Sequence, residues 1–279
     1  MKKLLLLFLV LGTIYSCGSQ KVKGSRNVTT ERTNLKDFTS VEIQGDFEVG
    51  LKKGNRSHME VEADDNLHSL IQTDIVDNTL FIKTRKPVKS SKSLEIILTF
   101  PDILDRILIT DNVELYSDED LYLQDVEVRI NGKAKAFLTL TARDFQFYMN
   151  DKSKTELNLT ASNAYFQLNN SSDLKALVYS PIFKVDLYEK ASAKLEGETK
   201  EFELRSEHST KFDGSKLTSE NAVVTAEGRS KNEVQVTGKL KLTAKDRAKI
   251  EVYGDPEIEL VEFTEKAELK KKSNKRQFL

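Results

Sequence analysis

The sequence predicts an all-β protein built as a parallel β-helix, a solenoid with coils of about 19 residues. Similar segments recur at this step, as in Val126–Ala134, Phe145–Ser153 and Ala164–Ser172. Within each segment apolar and polar residues alternate, which places the apolar side chains on one face of a strand. No helix-like segment separates the strands, and a short β repeat cannot bury its inward face alone. The coils are therefore expected to stack, with like residues about 4.8 Å apart.

Residues 1–16 predict the signal peptide of a lipoprotein. Met1–Lys3 is basic, Leu4–Leu11 is apolar, and Gly12–Ser16 leads to Cys17, the only cysteine of the chain. Ile14–Cys17 resembles a lipobox, although one of its residues is bulkier than usual. We therefore expect Cys17 to be the lipid-attachment residue, since two or more acyl chains give a stable membrane anchor. An ordinary exported protein is the alternative.

Residues 17–26 are polar and predict a flexible tether. Gly18 rather than an aspartate follows Cys17, which resembles lipoproteins forwarded to the outer membrane. The sequence leaves open whether the protein faces the periplasm or the cell exterior.

Residues 27–106 do not follow the 19-residue step. Strand-like runs alternate with turn signals such as Lys53–Asn55 and Asp77–Asn78, so irregular first coils are expected to cap the β-helix. Asn66–Thr73 predicts one helical turn.

Residues 107–260 predict the regular coils. One inward column is apolar throughout: Ile109, Val128, Phe147, Phe166, Val185, Leu204, Val224 and Leu242. A second column holds small residues and predicts a tight corner: Ala134, Ser153, Ser172, Ala191, Thr210, Ser230 and Ala248. A third column consists of Asn112, Asn131, Asn150 and Asn169. We expect these asparagines to adopt the left-handed conformation at a turn and to hydrogen-bond along the column.

Residues 261–279 are rich in charge and predict a solvated tail that shields the last strand edge.

From Phe38 to Ile258 the chain resembles the head GIN domain family of auto-transporter adhesins. The resemblance rests on Phe38–Val49, Val61–Leu67 and Asp77–Ile82 near the start, and on Ile250–Pro256 near the end. It implies a right-handed, single-stranded β-helix, and the family name implies adhesion. The Ser-Gly-Ser-Gly-like corner of the family is degenerate here, as in Asn131–Ala134. We therefore expect the chain to share the fold of the family, but we infer no function for the corner from the resemblance.

Composition excludes several classes of function. Lys and Arg number 43 against 44 Asp and Glu, so the chain lacks the basic footprint of a nucleic-acid-binding protein. One cysteine permits neither an internal disulfide nor a thiolate metal cluster.

Catalytic and metal-binding motifs are also missing from the sequence. His58, His68 and His208 form no spaced metal pair, and no HExxH, GxSxG or phosphate-loop pattern occurs. Asp64–Asp65 and Asp118–Asp120 lack the spacing of a calcium loop and predict solvated turns. We therefore predict no catalytic residue, no metal and no cofactor.

One row of residues is a candidate binding surface. Stacking is expected to align a basic ridge before the small-residue corner, suited to a polyanionic glycan: Lys133, Lys152, Lys190, His208, Arg229 and Arg247. Asp151, Glu189 and Asp246 precede some of these positions and would neutralise much of the field. A mixed surface without binding function is therefore the alternative.

Taken together, the sequence predicts a non-catalytic cell-envelope lipoprotein, anchored in the membrane by lipid. Its β-helix would present ladders of side chains to an extended polysaccharide or protein ligand. Two alternatives remain. One is a carbohydrate-active enzyme, since polysaccharide lyases and hydrolases share the shape, although shape alone does not imply chemistry. The other is an envelope structural or sensing component without an external ligand. The sequence does not indicate the oligomeric state.

Overall fold

The computed structural model describes residues 21–101, 103–117 and 119–273, which form a parallel β-helix of about nine coils. The signal peptide and Cys17 lie outside the described residues. A turn of 3-10 helix at His68–Leu70 falls within the segment predicted to be helical. No helix among the described residues is long and apolar enough to cross a membrane.

In chain order the strands are β1 Val22–Lys23, β2 Val28–Asn34, β3 Ser40–Gly45, β4 Glu48–Lys53, β5 His58–Asp64, β6 Ile71–Val76, β7 Thr79–Thr84, β8 Val88–Ser90, β9 Leu94–Phe100, β10 Arg106–Asp111, β11 Glu114–Ser117, β12 Leu121–Tyr122, β13 Asp125–Ile130, β14 Lys135–Met149, β15 Lys154–Leu168, β16 Asp173–Tyr179, β17 Ile182–Leu187, β18 Ser192–Ser206, β19 Lys211–Ala226, β20 Lys231–Ala244, β21 Lys249–Tyr253, β22 Glu257–Phe263 and β23 Glu268–Lys271.

Each regular coil has two strand segments joined by a tight corner. The front segment runs into the corner, as β13 does at Asn131, and the back segment leaves it, as the first half of β14 does. In the longest strands the back segment continues without a break into the front segment of the next coil. We call the outward surfaces of these segments the front face and the back face.

From β13 to β18 the coils stack with the predicted 19-residue register, whereas β10 pairs with β13 at a step of 21, so Ile107 and not the predicted Ile109 lies in the column of Val128. Phe147 pairs with Phe166, and Phe166 pairs with Val185, so each inward position lies above its equivalent in the next coil. Alternating residues point inward and are fully buried, which forms one continuous apolar core. Phe166 and Phe183 meet edge to face with ring centroids 4.8 Å apart in the middle of this core.

The first coils are not stacked in chain order. β3 lies between β7 and β10, and β4 lies between β9 and β11, all in parallel pairing. Antiparallel strands then close this end: β6 pairs with β7, β5 with β9, and β2 with β5. The Asp77–Asn78 turn joins β6 to β7, and both residues have positive φ, as the turn signal predicted. The order of these coils is set by pairings distant in sequence.

Residues 21–26 are held in place, so the prediction of a flexible tether is wrong for this part. β1 pairs with β8, and the backbone N–H of Arg26 donates to the buried carboxylate of Asp64. Lys92 and Ser93 also donate backbone N–H groups to Asp64. Asp64 is therefore not a solvated turn residue. Burial alone would raise the pKa of Asp64, but these three donors outweigh burial and hold that pKa below its ordinary value.

The β-helix extends beyond residue 260, which corrects the predicted start of the tail. β22 pairs with β20, and β23 pairs with β21. Residues 261–271 are rich in charge because their outward side chains pair with the preceding coil. Lys245 Nζ lies 2.9 Å from Glu262 Oε2, for example, and Lys249 Nζ lies 2.8 Å from Glu268 Oε1. The strands β22 and β23 are therefore as rich in charged residues as a solvated tail, although they belong to the β-helix.

Candidate functional site

The corner that carries the predicted basic ridge is a four-residue turn. In Asn150–Ser153 the backbone N–H of Ser153 donates to the carbonyl of Asn150, and the second residue, Asp151, has φ of 62°. Asn131, Asn150 and Asn169 stand in the first position of their turns, and the left-handed conformation falls on the residue after them, as at Gly132 and Asn170, so the prediction that the asparagines adopt it is wrong. The predicted ladder is confirmed for Asn131, Asn150 and Asn169, whereas Asn112 lies outside it because β10 pairs with β13 at a step of 21, and its side-chain amide donates to Asp46 instead. Asn150 Nδ2 donates to Asn131 Oδ1, and Asn169 Nδ2 donates to Asn150 Oδ1, both at 2.8 Å.

The structure brings five of the six predicted ridge residues into one column. Lys133, Lys152, Lys190, Arg229 and Arg247 each occupy the third position of a turn and are exposed. His208 does not belong to this column. It has φ of 65° and occupies the left-handed second position, while Ser209 fills the ridge position of its coil. The turn has one residue between His208 and the small-residue column, and this single-residue offset separates the two columns.

Carboxylates lie in the column next to the ridge, as the sequence indicated. Asp151 Oδ2 accepts from the backbone N–H of Gly132, and Asp246 Oδ2 accepts from that of Gly228, so these carboxylates bind the neighbouring coil. Within the described part of the chain, none of the ridge cations forms an ion pair with them. The corner is therefore a surface of alternating charge, and a role for the ridge in binding stays a prediction.

A second cluster, which the sequence analysis missed, lies on the front face beside this corner. Its outward residues come from four successive coils, and we call them the tyrosine cluster: Arg129, Tyr148, Tyr165, Gln167, Asp186 and Tyr188. Register places Arg129, Tyr148, Gln167 and Asp186 in one column, one residue per coil. Tyr165 lies in the column beside it, two residues before Gln167.

The rings of the cluster are held by direct contacts. The guanidinium carbon of Arg129 lies 4.0 Å from the centroid of the Tyr148 ring, and Tyr148 meets Tyr165 edge to face at 5.9 Å. Glu127 fixes Arg129 from the other side through two hydrogen bonds, at 2.6 and 2.9 Å. This hydrogen-bonded pair raises the pKa of Arg129 and lowers that of Glu127. The cluster thus presents preorganised aromatic surface with a fixed positive charge at one end.

Asp186 gives the cluster a buried carboxylate. Only 6% of the residue is exposed, and its Oδ2 accepts a 2.8 Å hydrogen bond from the hydroxyl of Tyr165. Its Oδ1 is buried and has no hydrogen-bond partner in the structure. Burial raises the pKa of both Tyr165 and Tyr188, and Asp186 raises it further, through its hydrogen bond at Tyr165 and through its charge at Tyr188. Because this oxygen is shielded from solvent, a ligand does not reach it in this conformation, and the role of the carboxylate is to hold the hydroxyl of Tyr165 in place.

A groove continues the same face toward the first coils. Its volume is about 530 Å³, and its lining includes Glu42, Asp74, Phe81, Lys83 and Leu108. Register aligns Glu42, Phe81 and Leu108 with Arg129, so the groove and the tyrosine cluster form one track along the front face.

Both carboxylates of the groove have partners. Glu42 forms an ion pair with Arg106 at 3.3 Å, and Asp74 Oδ2 accepts from the side-chain amide of Gln72 at 2.7 Å. No group of three or more potential metal ligands occurs among the described residues.

The periodicity of the sequence contained a signal for this cluster. Arg129, Tyr148, Gln167 and Asp186 recur at the same 19-residue step as the inward residues, one position after each buried core residue. Reading the outward columns in the same way as the inward ones would have aligned them.

The chain matches one known family over most of its length. The family model described as "putative auto-transporter adhesin, head GIN domain" matches residues 37–180 and 175–256. No curated protein matches the chain.

Solved structures share the fold at low sequence identity. A "putative adhesin" from Parabacteroides distasonis has a TM-score of 0.68 and 17% identity over 90% of this chain and 100% of its own. A "putative lipid binding protein" from the same organism has a TM-score of 0.63 and 15% identity over 92% and 100% of the two chains. A "putative adhesin" from Parabacteroides merdae has a TM-score of 0.59 and 17% identity over 91% and 97%.

Proposed function

Since the chain belongs to the head GIN domain family, we propose that it is a non-catalytic adhesin-like protein of the cell envelope that binds an extended glycan along its front face. The protein would be exported by the segment 1–16 and anchored in the outer membrane through lipid on Cys17.

The tyrosine cluster is the observation that carries this proposal. A sugar ring has an apolar face of C–H groups and a rim of hydroxyls. Half-buried aromatic rings at Tyr148 and Tyr188 offer surface for the apolar face, while the side-chain amide of Gln167 offers hydrogen-bonding atoms for the rim. Fixed side chains lower the entropy cost of binding.

The backbone of the front face favours a glycan over a protein strand. Strands in the middle of the β-helix pair on both sides, as β15 does with β14 and β17. A peptide that binds by strand addition needs an unpaired edge, and the front face has none at the cluster. A flat track along several coils suits a chain that binds through side chains alone.

Binding of the chain from residue 18 onward to a glycan array, followed by calorimetry on each hit, tests the proposal. We expect Tyr148→Ala to weaken binding by about tenfold, in the range of a central aromatic contact. Phe137→Ala is the matched control, because Phe137 is an exposed aromatic residue on the back face. Absence of any glycan ligand, or equal affinity of Tyr148→Ala and the parent protein, would contradict the proposal. The first of these results would favour the structural or sensing role.

The enzymatic alternative has one observation in its favour, the groove with Glu42 and Asp74. Incubation of the bound glycan with the protein, with assay for new reducing ends and unsaturated products, separates the two functions. We expect no products. Product formation that Glu42→Gln abolishes would replace binding by catalysis.

A further inference from the structure

The last coil of the β-helix leaves its apolar residues uncovered. β22 carries four large apolar side chains with exposed fractions of 39–63%: Ile258, Leu260, Val261 and Phe263. Ile258 and Leu260 continue the inward columns of Leu240 and Leu242, both of which are fully buried. In the described part of the chain, β22 and β23 each pair on one side only. A solenoid that ends in this way exposes both core surface and free backbone groups.

The opposite end of the molecule is closed in a different way. β2 forms its outermost strand on one side, and its residues Thr29–Asn34 are polar, charged and exposed. Strands of this composition discourage further pairing. The two ends therefore differ, and only the end formed by β22 and β23 has the composition of an interface.

The two free edges carry opposite charge. β22 bears Glu257, Glu259 and Glu262, whereas Glu268 is followed by Lys270, Lys271 and Lys272 along and just after β23. The corner of residues 264–267 lies between the edges, with Glu265 and Lys266 exposed. A surface that places basic residues opposite β22 and acidic residues opposite β23 would be complementary to this end.

We propose that this end binds a second copy of the chain through a two-fold axis that passes through the corner of residues 264–267. Such an axis lays β22 of one copy antiparallel to β23 of the other, since β22 runs toward the corner and β23 runs away from it. Glu259 and Glu262 would face Lys270 and Lys272 of the second copy, and the same contacts recur by symmetry. The apolar residues of β22 would be covered, and both free edges would gain hydrogen-bond partners.

The geometry has a consequence for adhesion. β1 lies with the first coils at the far end of the β-helix, about 40 Å away for about nine coils at 4.8 Å each. The two N-termini of the dimer would therefore lie at opposite ends of one rod. If the proposed anchor at Cys17 is present, pairing would join two membranes rather than neighbours in the same one. The joining of two membranes rests on the proposed function, whereas the dimer does not.

Charge exchange between two variants tests the interface. Glu259→Lys/Glu262→Lys makes both edges basic, and Lys270→Glu/Lys272→Glu makes both edges acidic. We expect the parent chain from residue 18 onward to form dimers in sedimentation velocity across a concentration series. Each double variant alone should be monomeric under those conditions. A mixture of the two variants should restore the dimer, because each edge then meets one of opposite charge.

A control addresses the loss of ion pairs within one chain, such as Lys241 with Glu259 at 3.4 Å. Glu156→Lys/Glu203→Lys breaks comparable exposed pairs in the middle of the β-helix and should leave the dimer intact. Circular dichroism on every variant checks that the strands form. A parent chain that is monomeric at every concentration, or two variants that fail to combine, would overturn the proposal. Glycan binding measured on the two charge-exchange variants of β22 and β23 should be unchanged, which keeps this result separate from the function of the front face.

Discussion

The hydroxyl of Tyr165 donates a 2.8 Å hydrogen bond to Oδ2 of Asp186, which lies on the next coil. This contact links two coils across the front face and leaves Oδ1 of the same buried carboxylate without a partner. The Tyr165–Asp186 contact therefore bears on stability and on the position of the Tyr165 ring, which packs against Tyr148.

Removal of the Tyr165 hydroxyl should destabilise the fold. In Tyr165→Phe the buried carboxylate of Asp186 loses its hydrogen-bond donor, and we expect the free energy of unfolding to fall by about 1–3 kcal/mol. Chemical denaturation measures it. Tyr148→Phe is the matched control, because that hydroxyl donates to the exposed side chain of Gln146, and a change within about 0.5 kcal/mol is expected. Equal losses in both variants would show that Asp186 does not depend on this donor.

The asparagine ladder should contribute measurably to stability. Asn150→Ala removes one side-chain hydrogen bond to Asn131 and one from Asn169, with an expected cost of about 1–3 kcal/mol. Asn158→Ala, at an exposed position with a single 3.4 Å contact, serves as the comparison and should change stability little. Thermal and chemical unfolding of both variants provide the measurement. A loss in Asn150→Ala no greater than in Asn158→Ala would contradict a stabilising ladder.

The phenylalanine stack should be the most sensitive part of the core. Phe166→Ala leaves a cavity between Phe147 and Phe183, and a cost of about 3–5 kcal/mol is expected. Phe166→Leu should cost less, because it retains much of the volume. If denaturation midpoints of the two variants coincide, the stack is not tightly packed.

Stability should decrease at acid pH partly through Asp64. Its pKa in the fold is lowered from the ordinary 3.8, so its contribution is present above about pH 4 and is lost as pH falls below that value. Asp64→Asn should therefore differ most from the parent chain near neutral pH, with the difference shrinking toward pH 2. Unfolding of both chains measured from pH 7 to pH 2 tests this. A difference between Asp64→Asn and the parent that stays constant with pH would exclude the carboxylate as its source.

Binding at the ridge and binding at the tyrosine cluster should depend differently on the charge of the ridge residues. Lys133→Glu/Lys152→Glu/Lys190→Glu should leave the affinity for the bound glycan unchanged, because carboxylates such as Asp151 already balance this corner. Calorimetry at two salt concentrations measures the effect. A large loss of affinity that disappears at high salt would transfer the binding site from the front face to the ridge.

The sequence alone determined the regular coils. Val128, Phe147 and Phe166 recur at a fixed step because each must fill the same place in the core, and this spacing encodes both the strands and their register. Outward positions face no such packing requirement. The column that holds Arg129, Tyr148 and Asp186 therefore contains residues of different types and is harder to recognise in the sequence, although the same register aligns it. The order of β3, β7 and β10, the hold of Asp64 on residues 21–26, and the place of β22 at an open end depend on pairings between distant segments. Only the tertiary structure decided these features, because a local period records what a residue packs against within its own column and not which coil lies next to which.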